Sequence, residues 1–252
     1  MQYDRPKKTP DQEMIFGRHP VMDALEAKRN FEKIILAANV RGPFEKDLRK
    51  ACKELDVPLQ TVPKERLNNY TRKNHQGVVA LLSPIPYYQV EDLLLLAYEK
   101  GKHPLFVLLD GVTDVRNIGA IARSAEAAGA DALIIPKKGS AQINDSAMKS
   151  SAGALNHLPV CRVNSLIQTA EYLQMNGLQL IAADLQGEKM LYDLELNLPL
   201  ALIMGDEHKG VNRVLLEKVD EHFLLPMRGQ TDSFNVSVAT GITLYEIMRQ
   251  QK

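Results

Sequence analysis

The sequence predicts an α/β protein with a mostly parallel sheet in its C-terminal part, preceded by a smaller α/β unit. Three observations predict it. From Leu105 onward, short apolar runs recur at Phe106 to Leu109, Ala132 to Ile135, Val160 to Val163, Leu180 to Ala183, Leu200 to Met204 and Phe223 to Leu225. These runs are continuous rather than alternating, as strands covered on both faces must be. Helical patterns lie between them, so successive strands need crossovers and run parallel.

In chain order, the charged, Pro-containing opening, residues 1–12, reads as a frayed tail and lacks the apolar core of a signal peptide. Residues 13–84 form the small unit. Phe16-Gly17-Arg18-His19-Pro20 leads into a helix with Val21, Ala24 and Leu25 inward, and Lys33 to Ala37 is a strand. A charged helix spans Lys46 to Leu55; after Pro58 to Val62 the polar turn Asn74-His75-Gln76-Gly77 feeds a final strand through Leu81. At Pro84, Pro86 and Tyr87-Tyr88 the texture changes, and an amphipathic helix over Val90 to Tyr98 reads as part of a linker, residues 85–103. Residues 104–252 then carry the strands of the main domain.

Within that domain three segments share one form, a strand, a polar turn and a helix. They are Leu108-Leu109-Asp110-Gly111 running into Asn117 to Arg123, Ile203-Met204-Gly205-Asp206-Glu207, and Asp232 to Gly241. Ligands of open α/β sheets bind outside the carboxyl ends of the strands, so three such turns suggest one shared site.

At 252 residues, with 45% hydrophobic and 25% charged, this is an ordinary globular composition for one large or two modest domains. Cys52 and Cys161 have no CxxC spacing and no neighbouring His cluster, so they read as reduced, buried thiols and no metal site is expected. The longest apolar run, Leu93 to Tyr98, is far short of the roughly 18 residues a membrane helix needs, which points to the cytoplasm. Lysine plus arginine, 31, equal aspartate plus glutamate, 31, and this excludes a protein that coats nucleic acid through a general positive field. RNA binding would have to be local, at Arg5-Pro6-Lys7-Lys8, Lys46 to Lys53, Lys137-Lys138 or Arg228, each of which can equally be a solvated face.

The turns carry the candidate chemistry. Asn117 stands where a helix N-cap is expected, and Ile118, Ile121, Ala122, Ala125 and Ala128 form one apolar stripe behind it. Arg123 lies off the stripe, either as an outward surface charge or as a group over the carboxyl ends of the strands. Gly205 to Gly210 follows a strand and opens a helix through Val211, Val214 and Leu215; the glycine lets backbone amides reach a ligand. It is neither a P-loop nor GxGxxG. Asp206 and Glu207 would repel phosphate, so a neutral or cationic ligand suits the turn, unless it is simply a capped turn with solvated carboxylates. His208 fits a solvated turn, and His75 and His157 fit structural or surface positions. Ser233, Asn235 and Ser237 can cap backbone donors or grip a ligand, while Ala239 and Gly241 permit close backbone approach.

In this order the segments resemble the TrmH/SpoU family of SPOUT RNA methyltransferases, most closely its RlmB-like 23S rRNA guanosine 2′-O-methyltransferases. The likeness spans residues 13–252. It is carried by Asn117 to Ala125 with Ala128-Gly129, by Met204-Gly205-Asp206-Glu207 with Gly210-Val211, and by Leu225-Pro226-Met227 with Ser233 to Ala239. Gly17 to Val21 and His75 to Val79 look like the ends of that family's ribosomal-protein-like substrate-binding domain. Two departures are His208-Lys209-Gly210, where the family has a glycine-rich turn, and Phe234, where leucine is common.

The resemblance implies a SPOUT fold with a C-terminal trefoil knot, which periodicity alone would never suggest. It further implies S-adenosylmethionine held at Gly205, Leu225 and Phe234, and methyl transfer to a ribose 2′-hydroxyl of structured RNA by a homodimer with its site at the subunit interface. It puts Arg123 at the reacting hydroxyl, Asn117 and Asn235 as positioning groups, Glu207 as a polar support and Ser233 as a hydrogen-bonding partner. A guanidinium keeps its proton across the physiological range, so charge stabilisation or phosphate binding suits Arg123 better than the role of a base. The alternatives are a tRNA 2′-O-methyltransferase and a non-catalytic RNA-binding assembly factor; a nucleotide-binding oxidoreductase lacks its fingerprint.

Overall fold

The structure, a computed structural model, describes residues 13–206 and 209–251. The expected tail, residues 1–12, and the positions of Glu207 and His208 lie outside the described residues. The chain divides into two compact units, one ending at Ile85 and including Ile143–Asp145, the other formed by Pro86–Gln142 and the chain from Ser146 on.

The first unit is built from β1 (Met14–Phe16), α1 (Arg18–Glu26), β2 (Phe31–Ala37), α2 (Pro43–Glu54), β3 (Leu59–Val62), α3 (Lys64–Leu67) and β4 (Val78–Leu82). Its sheet has the order β1-β4-β2-β3, with β4 antiparallel to β1 and β2, and β2 parallel to β3. All of β4 is buried, and Val21, Ala24 and Leu25 of α1 pack on the same core. Helix α2 starts at Pro43, where proline's missing N–H costs nothing, and buries Leu48 and Cys52. Its basic residues form the solvated side, laced by Arg49–Glu45 at 3.0 Å. His75 is buried as packing: Nε2 meets Asn68 Oδ1 at 3.1 Å and Nδ1 accepts the Gly77 N–H at 3.1 Å. The three residues of β1 are too few to show a period, so the sequence reading passes from Phe16 straight into the helix.

The second unit contains α4 (Val90–Glu99), β5 (Leu105–Asp110), α5 (Val115–Ala127), β6 (Ala132–Pro136), α6 (Asp145–Ser150, its first residue grouped with the first unit), β7 (Val160–Val163), α7 (Leu166–Met175), β8 (Gln179–Ala183), β9 (Lys189–Met190), β10 (Leu200–Gly205), α8 (Arg213–Leu216), β11 (Glu221–Leu224) and α9 (Val236–Gln250). The sheet order is β7-β6-β5-β10-β8-β11-β9, and each pairing between these strands is parallel. Central β5 and β10 bury Leu105 to Leu109 and Leu200 to Met204, which is why their sequences do not alternate. Each such leucine or isoleucine contributes about 1.5–3 kcal/mol when fully buried.

Three local readings change. Helix α4, read from sequence as linker, sets Val90, Leu93, Leu94 and Ala97 into one core with Leu166, Ala170 and Leu173 of α7. Asp114, rather than Asn117, caps α5: its carboxylate accepts the Arg116 N–H at 2.8 Å, which leaves Asn117 inside the first turn. Helix α8 is a single turn capped by Asn212, shorter than the helix expected through Val211, and its Val214 is exposed. Close packing explains Gly119, where a methyl group would overlap Ala147 O and Ser150 Cβ of α6. At Gly241 a methyl would sit 3.5 Å from Ser124 Oγ, an ordinary contact, so the approach of α9 to α5 does not require glycine. No helix among the described residues is long and apolar enough to cross a membrane.

Candidate active site

A cavity of about 730 Å³ opens at the carboxyl ends of β8, β10 and β11. That is within the usual range of pockets for small ligands and cofactors. Gly205, Leu225, Ser233 and Phe234 all line it, although they come from separate turns of the chain. Apolar wall is added by Met204, Val211, Val236 and Ala239.

Each turn is held by its own backbone. Gly205 ends β10, and the chain doubles back through mutual hydrogen bonds between Asp206 and Gly210, with N–H to O distances of 3.2 and 2.8 Å. A methyl group on Gly205 would overlap Gly210 C and Val211 N. The glycine is thus required by the chain's own return, a different reason from the ligand approach inferred from sequence. Asp110 at the end of β5 accepts the Asn212 N–H at 2.6 Å, tying the β5 turn to the cap of α8.

At the start of α9, Asn235 accepts from Ser237 N at 3.0 Å and from Ser237 Oγ at 2.6 Å. Its own Nδ2 donates to Asn117 Oδ1 at 3.2 Å. The turns around residues 117 and 235 are thereby joined directly. Asn117 and Asn235 are not among the residues lining the cavity, and neither is Arg123. Arg123 is exposed on α5, with no hydrogen bond or ion pair among the described residues. Glu207 falls outside those residues, so the structure gives it no position.

The sequence reading missed one wall. Ala183 at the end of β8 and Asp184, Leu185 and Gln186 just beyond it line the same cavity, with His222 of β11 facing Asp184 at 3.4 Å. The signal was there in weak form: a Gly-containing polar stretch follows an apolar run, but without a family motif to single it out. The charges around the cavity are mixed, Asp184, Asp206 and Glu217 against Lys209 and Arg213, so no strong positive field draws in phosphate. No group of three or more His, Cys, Asp or Glu side chains among the described residues is arranged to hold a metal.

Residues 104–245 match the sequence profile described as the SpoU rRNA Methylase family. The chain belongs to this family. It is an RNA methyltransferase, and residues 14–88 match a second profile, RNA 2′-O ribose methyltransferase substrate binding. Among relatives, the Bacillus subtilis protein YacO is 35% identical over 238 residues, covering 94% of this chain and 95% of its own; its name assigns it provisionally to the TrmH family of tRNA/rRNA methyltransferases. Among solved structures, an AdoMet-bound rRNA methyltransferase from Sinorhizobium meliloti superposes with a TM-score of 0.58 at 25% identity, covering 94% of this chain and 86% of that one. The SpoU methyltransferase AviRb from Streptomyces viridochromogenes, in complex with AdoMet, gives a TM-score of 0.61 at 24% identity, covering 95% of this chain and 90% of the other, and supports the α/β fold.

Proposed function

We propose that this SpoU-family enzyme transfers a methyl group from S-adenosylmethionine to the ribose 2′-oxygen of a nucleotide in structured RNA, a guanosine of 23S rRNA, as a cytoplasmic homodimer. The observation that carries the reading is the convergence of Gly205, Leu225 and Phe234 on one cavity. S-adenosylmethionine fits its donor set. The apolar wall suits adenine, the backbone turns offer donors and acceptors, and the carboxylates tolerate a cationic sulfonium. When bound, the cofactor supplies an electrophilic methyl group. The chain's residues have to align the acceptor and exclude water, because in-line transfer depends first on geometry. Gly205, Leu225 and Phe234 hold the donor, and Ser233 adds a hydroxyl at the same wall.

Asn117 and Asn235 are the positioning pair, and Glu207 serves as a polar support. Arg123 stabilises charge developing on the 2′-oxygen, or grips the neighbouring phosphate. Its exposure away from the cavity of its own protomer fits a role across a subunit seam. Helix α9 supports a seam as well: Val238, Ile242, Tyr245 and Met248 are all more than a third exposed on it, at 49%, 40%, 64% and 42%. We also assign the trefoil knot to this chain, with its C-terminal part threading through a loop. The first unit supplies local RNA affinity, which a chain of zero net charge needs.

The test is transfer of labelled methyl to 23S rRNA and to tRNA transcripts, followed by mapping of 2′-O-methylation. Methylation of a 23S guanosine supports the reading, and methylation of tRNA alone moves the substrate. Absence of S-adenosylmethionine binding would favour a non-catalytic RNA-binding factor.

A further inference from the structure

Among the described residues three carboxylates line the cavity, and they are not equivalent. Glu217 pairs with Arg213 at 3.3 Å. Asp206 accepts the Lys209 N–H at 3.0 Å and belongs to the doubled-back turn. Asp184 differs from both. Its Oδ1 accepts the Gln186 N–H at 3.0 Å, and the imidazole Nδ1 of His222 lies 3.4 Å from Oδ2. The His222 Nδ1 is buried yet makes no hydrogen bond of good geometry.

The backbone around Asp184 is stiff. Its N–H donates to Phe223 O at 3.0 Å, and its carbonyl accepts from Gly187 N at 3.0 Å. Parallel pairing of β8 with β11 sets His222 opposite Ala182 and Phe223 opposite Ala183, so the carboxylate emerges one residue beyond the paired strands, directly at the cavity. An ionised carboxylate has about four acceptor sites, and the Gln186 N–H and the His222 ring use at most two. What remains is a fixed acceptor pair facing a cavity lined by both apolar and polar side chains. Vicinal hydroxyls are the neutral ligand groups that best match such a pair, each donating one hydrogen bond, as in carboxylate recognition of a ribose.

We propose that Asp184 grips the ribose hydroxyls of the adenosyl donor, with His222 as the positioning residue behind it. This rests on the cavity being the donor site. It adds a ligand contact from the β8 turn, which carries none of the motifs that identify the family.

The test uses calorimetry on the full chain with S-adenosylhomocysteine and its 2′-deoxy and 3′-deoxy analogues. The variants are Asp184→Asn, whose amide oxygen still accepts from Gln186 N, and Asp184→Ser, which also suits such a turn. Thermal unfolding confirms that each is folded. The wild type should bind the parent ligand about tenfold or more tighter than either deoxy form, the span of a charge-assisted hydrogen bond. In both variants that ratio should fall close to one, with affinity for the deoxy forms nearly unchanged. An undiminished ratio in the variants, or equal weakening toward all three ligands, overturns the role of Asp184 and leaves the donor site standing. If the wild type binds none of the three, the donor site itself is wrong and this inference falls with it.

Discussion

Asn235 Nδ2 donates to Asn117 Oδ1 across 3.2 Å, joining residues 118 positions apart in the chain. One sits in the first turn of α5 and the other caps α9, so the bond ties two helix starts together. The bond is solvent-exposed, and the pair therefore contributes more to geometry than to stability. Asn235→Ala should cost about 1 kcal/mol, mainly through the lost cap. Asn117→Ala should cost about half that or less, since it caps nothing. Denaturant unfolding of the single and double variants measures their coupling, expected at about 0.5–1 kcal/mol. Methyl transfer should fall by a similar factor in both single variants; a loss confined to Asn235→Ala would reduce the pair to a cap.

Gly205→Ala is expected to be severe. The added methyl meets backbone, Gly210 C and Val211 N, which cannot swing aside as a side chain can. Overpacking of this kind costs about 1–3 kcal/mol. The turn lines the cavity, so S-adenosylmethionine affinity should drop together with the unfolding midpoint. Calorimetry and urea titration on one preparation check both; a stable variant with normal affinity would mean that the turn relaxes freely.

Arg123 is exposed and makes no side-chain bond among the described residues, so Arg123→Ala should change stability by no more than about 0.5 kcal/mol. Cofactor affinity should persist while methyl transfer is abolished. Mixing Arg123→Ala with Gly205→Ala protomers should recover part of the activity, because one seam in a mixed dimer then carries an intact cavity and an intact arginine. Normal turnover by Arg123→Ala alone would remove the role assigned to it.

Burial pushes the Cys161 thiol up to about 12 and the Cys52 thiol up to about 11, from the ordinary thiol value of 9.0. Well below pH 9.0 both thiols are protonated in the folded and unfolded chains and cost no stability. Between the unfolded value and these raised values the unfolded chain loses protons that the folded chain keeps, so stability falls as pH rises. Melting temperatures from pH 8 to 11 should decline less for Cys161→Ala, measured against its own value at pH 8. Alkylation at pH 8 should be slow in the native protein and fast after urea unfolding. Rapid native labelling would contradict the burial of both residues.

The acid side has the opposite sign. The Arg116 side chain, and then its backbone N–H, hold the Asp114 carboxyl below its usual value. Its contribution as the α5 cap is present above the unfolded value and is lost as pH falls through the lowered one. Asp114→Asn, which keeps the cap without the charge, should flatten that part of the acid unfolding curve. An unchanged acid profile would show that the cap is insensitive to charge.

Much of the fold is written locally. The runs at 106–109 and 200–204 are continuous because β5 and β10 are buried on both faces, and a covered strand has no polar alternation to show. Cys52 and Cys161 read as buried thiols for lack of spaced partners, and both are buried and free. Family membership was legible too, because motif residues keep their order along the chain whatever their positions in space.

Other properties depended on which segments meet. The sequence alone placed the cap of α5 at Asn117; Asp114 takes that position because its carboxylate reaches the Arg116 N–H, and Asn117 is left to bond Asn235. The final helix carried apolar residues all along, but only tertiary packing separates buried Leu244 and Ile247 from exposed Ile242 and Tyr245. Asp184 shows the limit most clearly. The polar, Gly-containing stretch around it is only a weak local sign, and its exposure to the cavity follows from the parallel register of β8 and β11, a long-range pairing that local propensities do not encode.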